Sequence, residues 1–461
     1  MKKQLLLIFV LMTSYAHAYT SAPDTAWTRI IGGDNEDYGN CIIETHDGNL
    51  VIVGTTNSYG AGDEDVYLIK MTSDGDTLWT KTYGGTNGDY GNCVAETHDH
   101  GFIITGKSAD VQPLDVYLIR TDSTGNVLWT KLFGNFNYEW GASVIETYDD
   151  GFVIAGYVAS SGTDYKDLYL IKTNSSGEAL WTKTFGDSGS EAGYSVVETR
   201  DSGLLVVGTT TYSASGTKDV YAVKTNSSGE SQWIKTYGGT ADDAGYSVVE
   251  SDSGYIIAGY TESYGTNGDF YLLKINLSGE VVWSKTYGGA ESDAAYSIIK
   301  TLDGGFLVAG TTYSYGEGNG DFYLLKMTSS GDTVWTKTIG GINDDFAKSV
   351  IQTDDSGYAA VGFTYTNNAP DVYIVKLKKE ASSGSINTYK QIIPIKSFNV
   401  FPNPFKTSTR IQVPAKSEIR LYDINGRLLE KTEKNIVGSD LQTGTYFVNT
   451  DGHMARITKV K

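Results

Sequence analysis

Residues 167–186 read Asp-Leu-Tyr-Leu-Ile-Lys-Thr-Asn-Ser-Ser-Gly-Glu-Ala-Leu-Trp-Thr-Lys-Thr-Phe-Gly. Apolar residues alternate on both sides of a polar turn that ends in Gly177, which is typical of a β-hairpin. The hairpin recurs along the chain, and its tryptophan marks the copies at Trp27, Trp79, Trp129, Trp181, Trp233, Trp283 and Trp335. Consecutive tryptophans are 50 or 52 residues apart. A fixed period of this length indicates a repeat architecture.

Each repeat contains four candidate strands. The first is exemplified by residues 195–199, and the second ends in a glycine such as Gly208. The fourth is the tryptophan strand. The third opens with Asp-x-Tyr, and its aspartates are Asp65, Asp115, Asp167, Asp219, Asp269, Asp321 and Asp371.

The repeat is offset at its two ends. The Trp27 strand precedes every first strand, and no tryptophan strand follows the strand that opens at Asp371. This offset predicts a closed ring whose last blade is completed by the N-terminal strand. We therefore expect an all-β fold with a seven-bladed β-propeller of four-stranded blades over residues 19–378. An open solenoid would need polar caps at both ends instead.

The N-terminus has the pattern of an export signal. Lys2 and Lys3 precede an apolar run over residues 5–12, and Ala16-His17-Ala18 is a small-x-small cleavage site. We expect a signal peptide over residues 1–18 with cleavage after Ala18. No longer apolar run follows, so no transmembrane segment is expected.

The charge of the chain is unevenly distributed. The formal net charge is −19, although residues 398–461 contain ten basic and six acidic side chains and so contribute +4. The rest of the chain is strongly acidic and would repel phosphate backbones, so nucleic-acid binding is disfavoured. An acidic surface can attract cations or basic partners.

The C-terminal part lacks the repeat. Residues 379–397 are predicted to be a linker, and several short apolar segments predict a small β-sandwich over residues 398–461. This region resembles the C-terminal sorting domain of the bacterial type IX secretion system. The resemblance is carried by Pro-Asn-Pro-Phe at 402–405, Leu-Tyr-Asp-Ile-Asn-Gly-Arg at 421–427, Leu-Gln-Thr-Gly-Thr-Tyr-Phe-Val at 441–448 and the basic residues 459–461.

The resemblance implies a route of export. In that family the domain is not catalytic but is the address read by the type IX machinery at the outer membrane. The machinery is thus an implied partner of residues 398–461, and the implied location is the extracellular space or the outer-membrane surface. Whether the domain is cleaved or anchors the protein is left open. The repeat itself resembles secreted bacterial propeller repeats with Trp-Thr-Lys-Thr-Tyr-Gly-Gly segments, and it lacks the Gly-His…Trp-Asp signature of WD propellers.

A ring of carboxylates is the best candidate site in the sequence. Five repeats close their first strand with a glutamate, and the remaining two repeats have Lys300 and Gln352 there. If these strands line a central channel, the carboxylates crowd one mouth and could bind a cation such as calcium or a basic ligand. The alternative is solvated charge at strand ends. The five residues are Glu44, Glu96, Glu146, Glu198 and Glu250.

The repeated tryptophans and aspartates are predicted to be structural. One tryptophan per blade at a fixed strand position is expected to pack neighbouring blades together. The aspartates are expected to accept hydrogen bonds from loop amides or to pair with lysine, for example Asp167 with Lys183. A ring of calcium-binding aspartates is the alternative, but one carboxylate per blade provides too few oxygens for calcium.

Histidine and cysteine give no clear ligand set. His46, His98 and His100 fall in the first two Asp/Gly turns, where solvated turn residues are the simpler interpretation. Cys41 and Cys93 replace a serine of the other repeats, and whether they form a disulfide is left open. We identify no metal site and expect no cofactor other than calcium at the glutamate ring.

Two classes of function remain. No Ser-His-Asp arrangement, zinc signature or phosphate-binding loop can be assembled. The loops are short and similar from blade to blade, which favours a monomeric binding module for a glycan or a protein rather than an enzyme. The alternative is a glycan-processing enzyme, a hydrolase or lyase that uses carboxylates in the channel.

Overall fold

The structure is a computed structural model of the chain. It describes residues 21–459 except 111–113, 135–137, 160–164, 187–188, 212–215, 367–368, 381–398, 402–408, 413–418, 423–427, 433–435, 438–440 and 451–452. The predicted signal peptide, its cleavage site at Ala18 and most of the predicted linker lie outside these residues. The chain divides into two compact units with a boundary between Ala381 and Ser382.

The first unit is built entirely from strands over its described residues. In chain order they are β1 (Thr25–Ile31), β2 (Asp37–Glu44), β3 (Leu50–Thr56), β4 (Asp65–Met71), β5 (Thr77–Tyr83), β6 (Asp89–Glu96), β7 (Phe102–Ser108), β8 (Asp115–Thr121), β9 (Val127–Phe133), β10 (Tyr138–Glu146), β11 (Phe152–Ala159), β12 (Lys166–Thr173), β13 (Ala179–Phe185), β14 (Glu191–Glu198), β15 (Leu204–Thr210), β16 (Asp219–Thr225), β17 (Ser231–Tyr237), β18 (Asp243–Ser251), β19 (Gly254–Thr261), β20 (Asp269–Ile275), β21 (Val281–Tyr287), β22 (Asp293–Lys300), β23 (Phe306–Thr312), β24 (Asp321–Met327), β25 (Thr333–Ile339), β26 (Asp345–Gln352), β27 (Tyr358–Thr366) and β28 (Ala369–Leu377). None of its described elements is a helix with the length and apolarity that a bilayer crossing requires.

Seven four-stranded antiparallel sheets form the blades. Blades 1 to 6 each use four consecutive strands, beginning with β2 to β5 for blade 1 and ending with β22 to β25 for blade 6. Blade 7 has the order β1-β28-β27-β26. Its outer strand is therefore the N-terminal strand, with Trp27 opposite Lys376 and Ile31 opposite Val372. The predicted closure of the ring and the predicted number of blades are confirmed.

The core of the propeller lies between the blades. The second and third strands of most blades are buried along nearly their whole length, because each blade is covered on both faces by its neighbours. Hydrophobic clusters are accordingly shared by two blades: Val207 of blade 4 packs with Ile257 of blade 5 in one, and Ile52 of blade 1 packs with Val361 of blade 7 in another. The outer strands alternate between exposed and half-buried residues.

The described residues of the second unit form two sheets. Its strands are β29 (Asn399–Phe401), β30 (Thr409–Gln412), β31 (Ile419–Tyr422), β32 (Leu428–Thr432), β33 (Ile436–Val437), β34 (Gly444–Thr450) and β35 (His453–Lys459). One sheet has the order β29-β30-β33 and the other β32-β31-β34-β35. The all-β prediction for this region is confirmed.

Candidate binding site

Antiparallel blades give the propeller two chemically different ends. Tight turns such as residues 45–49 and 72–76 connect the first strand to the second and the third to the fourth, and we call their end the turn face. Connections such as residues 57–64, together with the links from blade to blade, lie at the other end, which we call the loop face. The predicted glutamate ring lies at the turn face, and the predicted aspartates lie at the loop face.

The inner strand of every blade contains a β-bulge close to the loop face. In β2 the pairing with β3 passes from Gly39 directly to Cys41, so Asn40 has no partner in the ladder. A bulge redirects a side chain and is common beside binding sites. The seven bulged residues, here called the bulge ring, are Asn40, Asn92, Ala142, Tyr194, Tyr246, Tyr296 and Lys348.

The bulge ring surrounds the axis of the propeller. Each inner strand contacts the inner strand of the next blade, so the seven strands enclose a central channel. The ring of Tyr246 lies 5.5 Å from that of Tyr194 and 5.3 Å from that of Tyr296. These three residues of blades 4 to 6 form what we call the tyrosine arc. Asparagine and alanine occupy the opposite arc and leave more room on that side.

Lys348 extends the tyrosine arc with a positive charge. Its Nζ lies 4.2 Å from the ring centroid of Tyr296 and 5.7 Å from that of Phe363. Within the described part of the chain no carboxylate forms an ion pair with it. Burial lowers the pKa of Lys348, because an ammonium group loses hydration in the channel. An anion beside Lys348 would offset this cost.

The aromatic residues of the inner strands shift between two positions. In blades 4 to 6 the aromatic residue is the bulged one, and alanine stands two residues before it. In the other blades the bulged residue is not aromatic, and Tyr38, Tyr90, Trp140 or Phe346 stands two residues earlier. This signal is present in the sequence. In each inner strand the bulged residue is the one that follows a glycine or alanine and precedes a serine or cysteine. We missed it because the strand was interpreted as regular.

A second aromatic cavity lies at the loop face between blades 2 and 3. It has a volume of about 410 Å³ and is lined by Lys107, Tyr138, Trp140, Tyr157 and Lys166, among others. Lys107 lies over Trp140 at 5.0 Å, and Lys166 lies over Tyr157 at 4.2 Å. The indole Nε1 of Trp140 is buried and has no acceptor among the described residues. The cavity therefore provides two cations and a free indole N–H beside aromatic faces, and the carboxylate of Glu139 also lines it.

The predicted glutamates at the turn face each contact a neighbouring blade. Glu198 Oε2 accepts a hydrogen bond of 3.0 Å from the backbone N–H of Tyr148 in the preceding blade. Glu44, Glu96 and Glu146 accept equivalent bonds, and Gln352 does the same for Leu302 at 2.7 Å. Glu250 instead lies 3.7 Å from Arg200 Nε. These contacts give the glutamates a role between blades, and the shared cation stays a prediction.

The repeated aspartates lie at the junctions between blades. Six of the seven are buried, and Asp167 is half-buried. Asp65 accepts a hydrogen bond of 2.8 Å from the amide of Ala61. Each also approaches the acid that opens the next inner strand: Asp65 and Asp89 both lie beside the α-carbon of Gly84. Each junction thus holds two carboxyl groups, not the single one that the sequence indicated.

One predicted pair is wrong. Lys183 forms an ion pair of 2.6 Å with Glu230 in the hairpin turn of the next blade, not with Asp167. The sequence did not show this partner because it belongs to another repeat. The same turns receive the repeated tryptophans, as Trp181 lies against Gly229. Six of the seven tryptophans are half-buried, and Trp335 is buried.

Both cysteines and the three histidines His46, His98 and His100 lie in blades 1 and 2. Both thiols are free, and Cys41 Sγ lies 3.7 Å from the carbonyl oxygen of Val94 in the next inner strand. A hydrogen bond with the Cys93 thiol, followed by burial, raises the pKa of Cys41. The turns bring His46 and His100 of neighbouring blades together, a pairing that the sequence did not reveal.

A family model described as Outer membrane protein assembly factor BamB matches residues 114–360. This chain belongs to the BamB propeller-repeat family. A second model, described as Secretion system C-terminal sorting domain, matches residues 399–460 of the BamB-family chain. It confirms the predicted sorting domain and indicates export to the cell surface or the extracellular space. No curated protein matches the chain.

Several solved structures resemble this BamB-family chain. Sqt1 from Chaetomium thermophilum is 10% identical with a TM-score of 0.45, over 78% of this chain and 99% of that one. The α-L-arabinanase of Penicillium chrysogenum is 9% identical with a TM-score of 0.45, over 77% and 98%. PorZ, a surface component of the type IX secretion system of Porphyromonas gingivalis, is 13% identical with a TM-score of 0.35, over 94% and 53%.

Proposed function

We propose that this exported propeller is a monomeric binding protein that recognises an acidic saccharide at its loop face. The observation that carries the proposal is the bulge ring, where a tyrosine arc adjoins the half-buried cation Lys348. Aromatic faces bind the apolar C–H surfaces of sugar rings, and an ammonium group binds a carboxylate or sulfate. The two groups together favour an acidic sugar over a neutral one.

The net negative charge of the chain makes Lys348 one of the few places where an anion is attracted. The formal net charge is −19, so most of the surface repels anions. Cations that lie on aromatic faces, such as Lys348, Lys107 and Lys166, are local exceptions at the loop face. The cavity beside Trp140 would provide a second contact, because a bound acceptor would satisfy its buried indole N–H.

The hydrogen bonds of the glutamates favour binding without catalysis over the enzyme alternative. The enzyme alternative needs a pair of channel carboxylates free to act as acid and base. Glu44, Glu96, Glu146 and Glu198 each accept a backbone hydrogen bond from the preceding blade, at the opposite end of the inner strands from the tyrosine arc.

A glycan array followed by calorimetry tests the proposal on the mature chain. We expect acidic oligosaccharides to bind, Tyr246→Ala to weaken binding about tenfold, and Lys348→Met to weaken acidic ligands about tenfold while sparing neutral ones. Tyr148→Ala is the matched control, because Tyr148 is 77% exposed at the turn face. Binding that both loop-face variants leave unchanged would overturn the proposal. Release of shorter sugars from the same ligands would favour the enzyme alternative.

A further inference from the structure

Histidine is concentrated in two neighbouring turns of the turn face. Three of the five histidines in the chain, His46, His98 and His100, lie in the equivalent turns of blades 1 and 2. The imidazole rings of His46 and His100 are stacked, with centroids 3.5 Å apart and an interplanar angle of 23°. Glu96 Oε1 lies 2.6 Å from Nδ1 of His46 and 3.7 Å from Nδ1 of His100.

We propose that His46, Glu96 and His100 bind a divalent transition-metal ion of the zinc class. One ligand atom from each residue lies within 4.8 Å of the others. Two imidazole nitrogens and one carboxylate oxygen are a ligand set that zinc accepts, with a fourth position left for water. Calcium is a poor match, because it takes six to eight oxygens and the site offers one carboxylate.

The carboxylate of the site is held in place by the fold. Glu96 Oε2 accepts a hydrogen bond of 2.9 Å from the backbone N–H of His46, which leaves Oε1 directed at the imidazoles. The Glu96 side chain is 18% exposed, whereas those of His46 and His100 are 46% and 52% exposed. Such supporting contacts orient a ligand before the metal arrives and raise affinity. An ion can reach the imidazoles from solvent.

The turn position of His100 has the same backbone conformation in most blades. His100 has a φ of 66°, and Gly48, Asp150, Ser202, Gly304 and Ser356 also have a positive φ at the equivalent position. The conformation is therefore a property of the turn, and what distinguishes blade 2 is the side chain at this position. An imidazole at this position places a ligand against His46 that glycine could not provide.

The bound ion would link two blades. His46 belongs to the turn of blade 1, and Glu96 and His100 belong to blade 2. The site lies at the turn face, at the opposite end of the inner strands from the tyrosine arc. It is therefore independent of the proposed saccharide site, and either proposal can fail without the other.

The adjacent junction provides an internal comparison. His98 Nδ1 lies 2.8 Å from Asp150 Oδ1 and 3.5 Å from Glu146 Oε2. This cluster has one imidazole and two carboxylates, and the side chains of His98 and Asp150 are 66% and 70% exposed. Borderline metals prefer nitrogen donors, so we expect this cluster to bind zinc more weakly than the first.

Zinc calorimetry on the mature, untagged, chelator-treated chain is the direct test. The repeat supplies conservative variants: His46→Leu copies Leu302, His100→Gly copies Gly304, and His98→Tyr copies Tyr148. We expect one strong zinc equivalent in the parent chain and in His98→Tyr. The double variant His46→Leu with His100→Gly should lose at least about 100-fold in affinity, because even removal of supporting groups costs 10- to 100-fold.

Two further measurements test the same site independently of calorimetry. Copper(II) electron paramagnetic resonance should show two coupled nitrogens in the parent chain and one in His100→Gly. Zinc at about 100 times its dissociation constant should raise the folded-to-unfolded ratio about 100-fold in the parent chain and leave the double variant unchanged. Zinc affinity that survives in the double variant, or no binding up to about 1 mM zinc, would overturn the proposal.

Discussion

At the turn face six of the seven blades have the same ion pair between a buried basic residue and an exposed aspartate. At the loop face, by contrast, the bulged residue changes from asparagine to alanine, tyrosine and lysine around the ring. In each turn-face pair a basic residue of the third strand meets the aspartate of the first turn, as Lys326 meets Asp303. Each inner strand contains the bulged residue and leads into the turn that holds the aspartate. Residues that recur in nearly all blades therefore indicate a structural role, and residues that differ between blades indicate a role specific to those blades.

The largest expected effect comes from a comparison of two lysines, one at each face. Lys326 is fully buried and donates a 2.7 Å hydrogen bond to Asp303 Oδ2. Lys348 is half-buried, and among the described residues its charge is met only by the aromatic rings of Tyr296 and Phe363. Lys326→Met should lower the free energy of unfolding by about 2 kcal/mol, since it removes a charge-assisted bond. Lys348→Met should leave stability unchanged or raise it by up to about 1 kcal/mol, because it removes a partly desolvated charge that has no counter-ion among the described residues.

Urea denaturation at neutral pH measures both variants against the parent chain. The slopes of the transitions should be equal, so that the midpoints alone report stability. Equal losses from the two lysine variants would mean that the loop face is as structural as the turn face, and the contrast would fail.

The ring and its closure could be predicted from the sequence because the period is regular. The offset between Trp27 and Asp371 placed the N-terminal strand beside β28, and the pairing of Trp27 with Lys376 confirms it. Contacts within one repeat are local enough to follow from the pattern of alternating residues. The basic residue of each third strand and the aspartate of each turn also repeat, so the ion pair at Lys326 could have been recognised by comparing repeats.

Contacts between repeats could not be predicted in the same way. The partner of Lys183 is Glu230, and the partner of His46 is Glu96 with His100, each in the following blade. A sequence shows the period but not how far one blade is rotated against the next, which decides these neighbours. The bulge at Tyr246 was missed for another reason, since one extra residue changes the face on which every later side chain lies.

The two faces should respond to pH in opposite directions. Acidic pH should stabilise the loop-face junctions and destabilise the turns. Burial, and then the charge of Asp345, raise the pKa of Asp321 to about 6, although a hydrogen bond from the backbone of Glu317 opposes the rise. A folded-state pKa above the unfolded value means that this carboxyl stabilises the fold below its unfolded pKa of 3.8 and that the contribution is lost as pH rises through about 6. At the turn face burial opposes the shift, but hydrogen bonds from Lys172 and Thr147 lower the pKa of Asp149 to about 2.

Asp321→Asn therefore tests the junction. We expect the melting temperature of the parent chain to rise as pH falls from about 7.5 to about 5, and the variant to show a weaker dependence. At pH 7.5 the variant should be more stable by on the order of 1 kcal/mol, because the desolvation cost of the buried carboxylate and its repulsion from Asp345 are both removed. Asp74→Asn, at an exposed turn, is the control and should follow the parent chain. A variant as pH-dependent as the parent would assign the titration to other groups.

The smallest expected effect is at the glutamate ring, because in one blade a glutamine already accepts the equivalent backbone hydrogen bond. Gln352 accepts the amide of Leu302 just as Glu198 accepts that of Tyr148. Glu198→Gln keeps the acceptor, so stability should change by less than about 0.5 kcal/mol, whereas Glu198→Ala should cost about 1 kcal/mol.

A calcium titration by calorimetry distinguishes the two possible roles of the glutamate ring. If the glutamates only connect blades, neither the parent chain nor Glu198→Gln gives heat at millimolar calcium; if they share a cation, the parent chain binds and Glu198→Gln binds more weakly, because one charged oxygen ligand has become neutral.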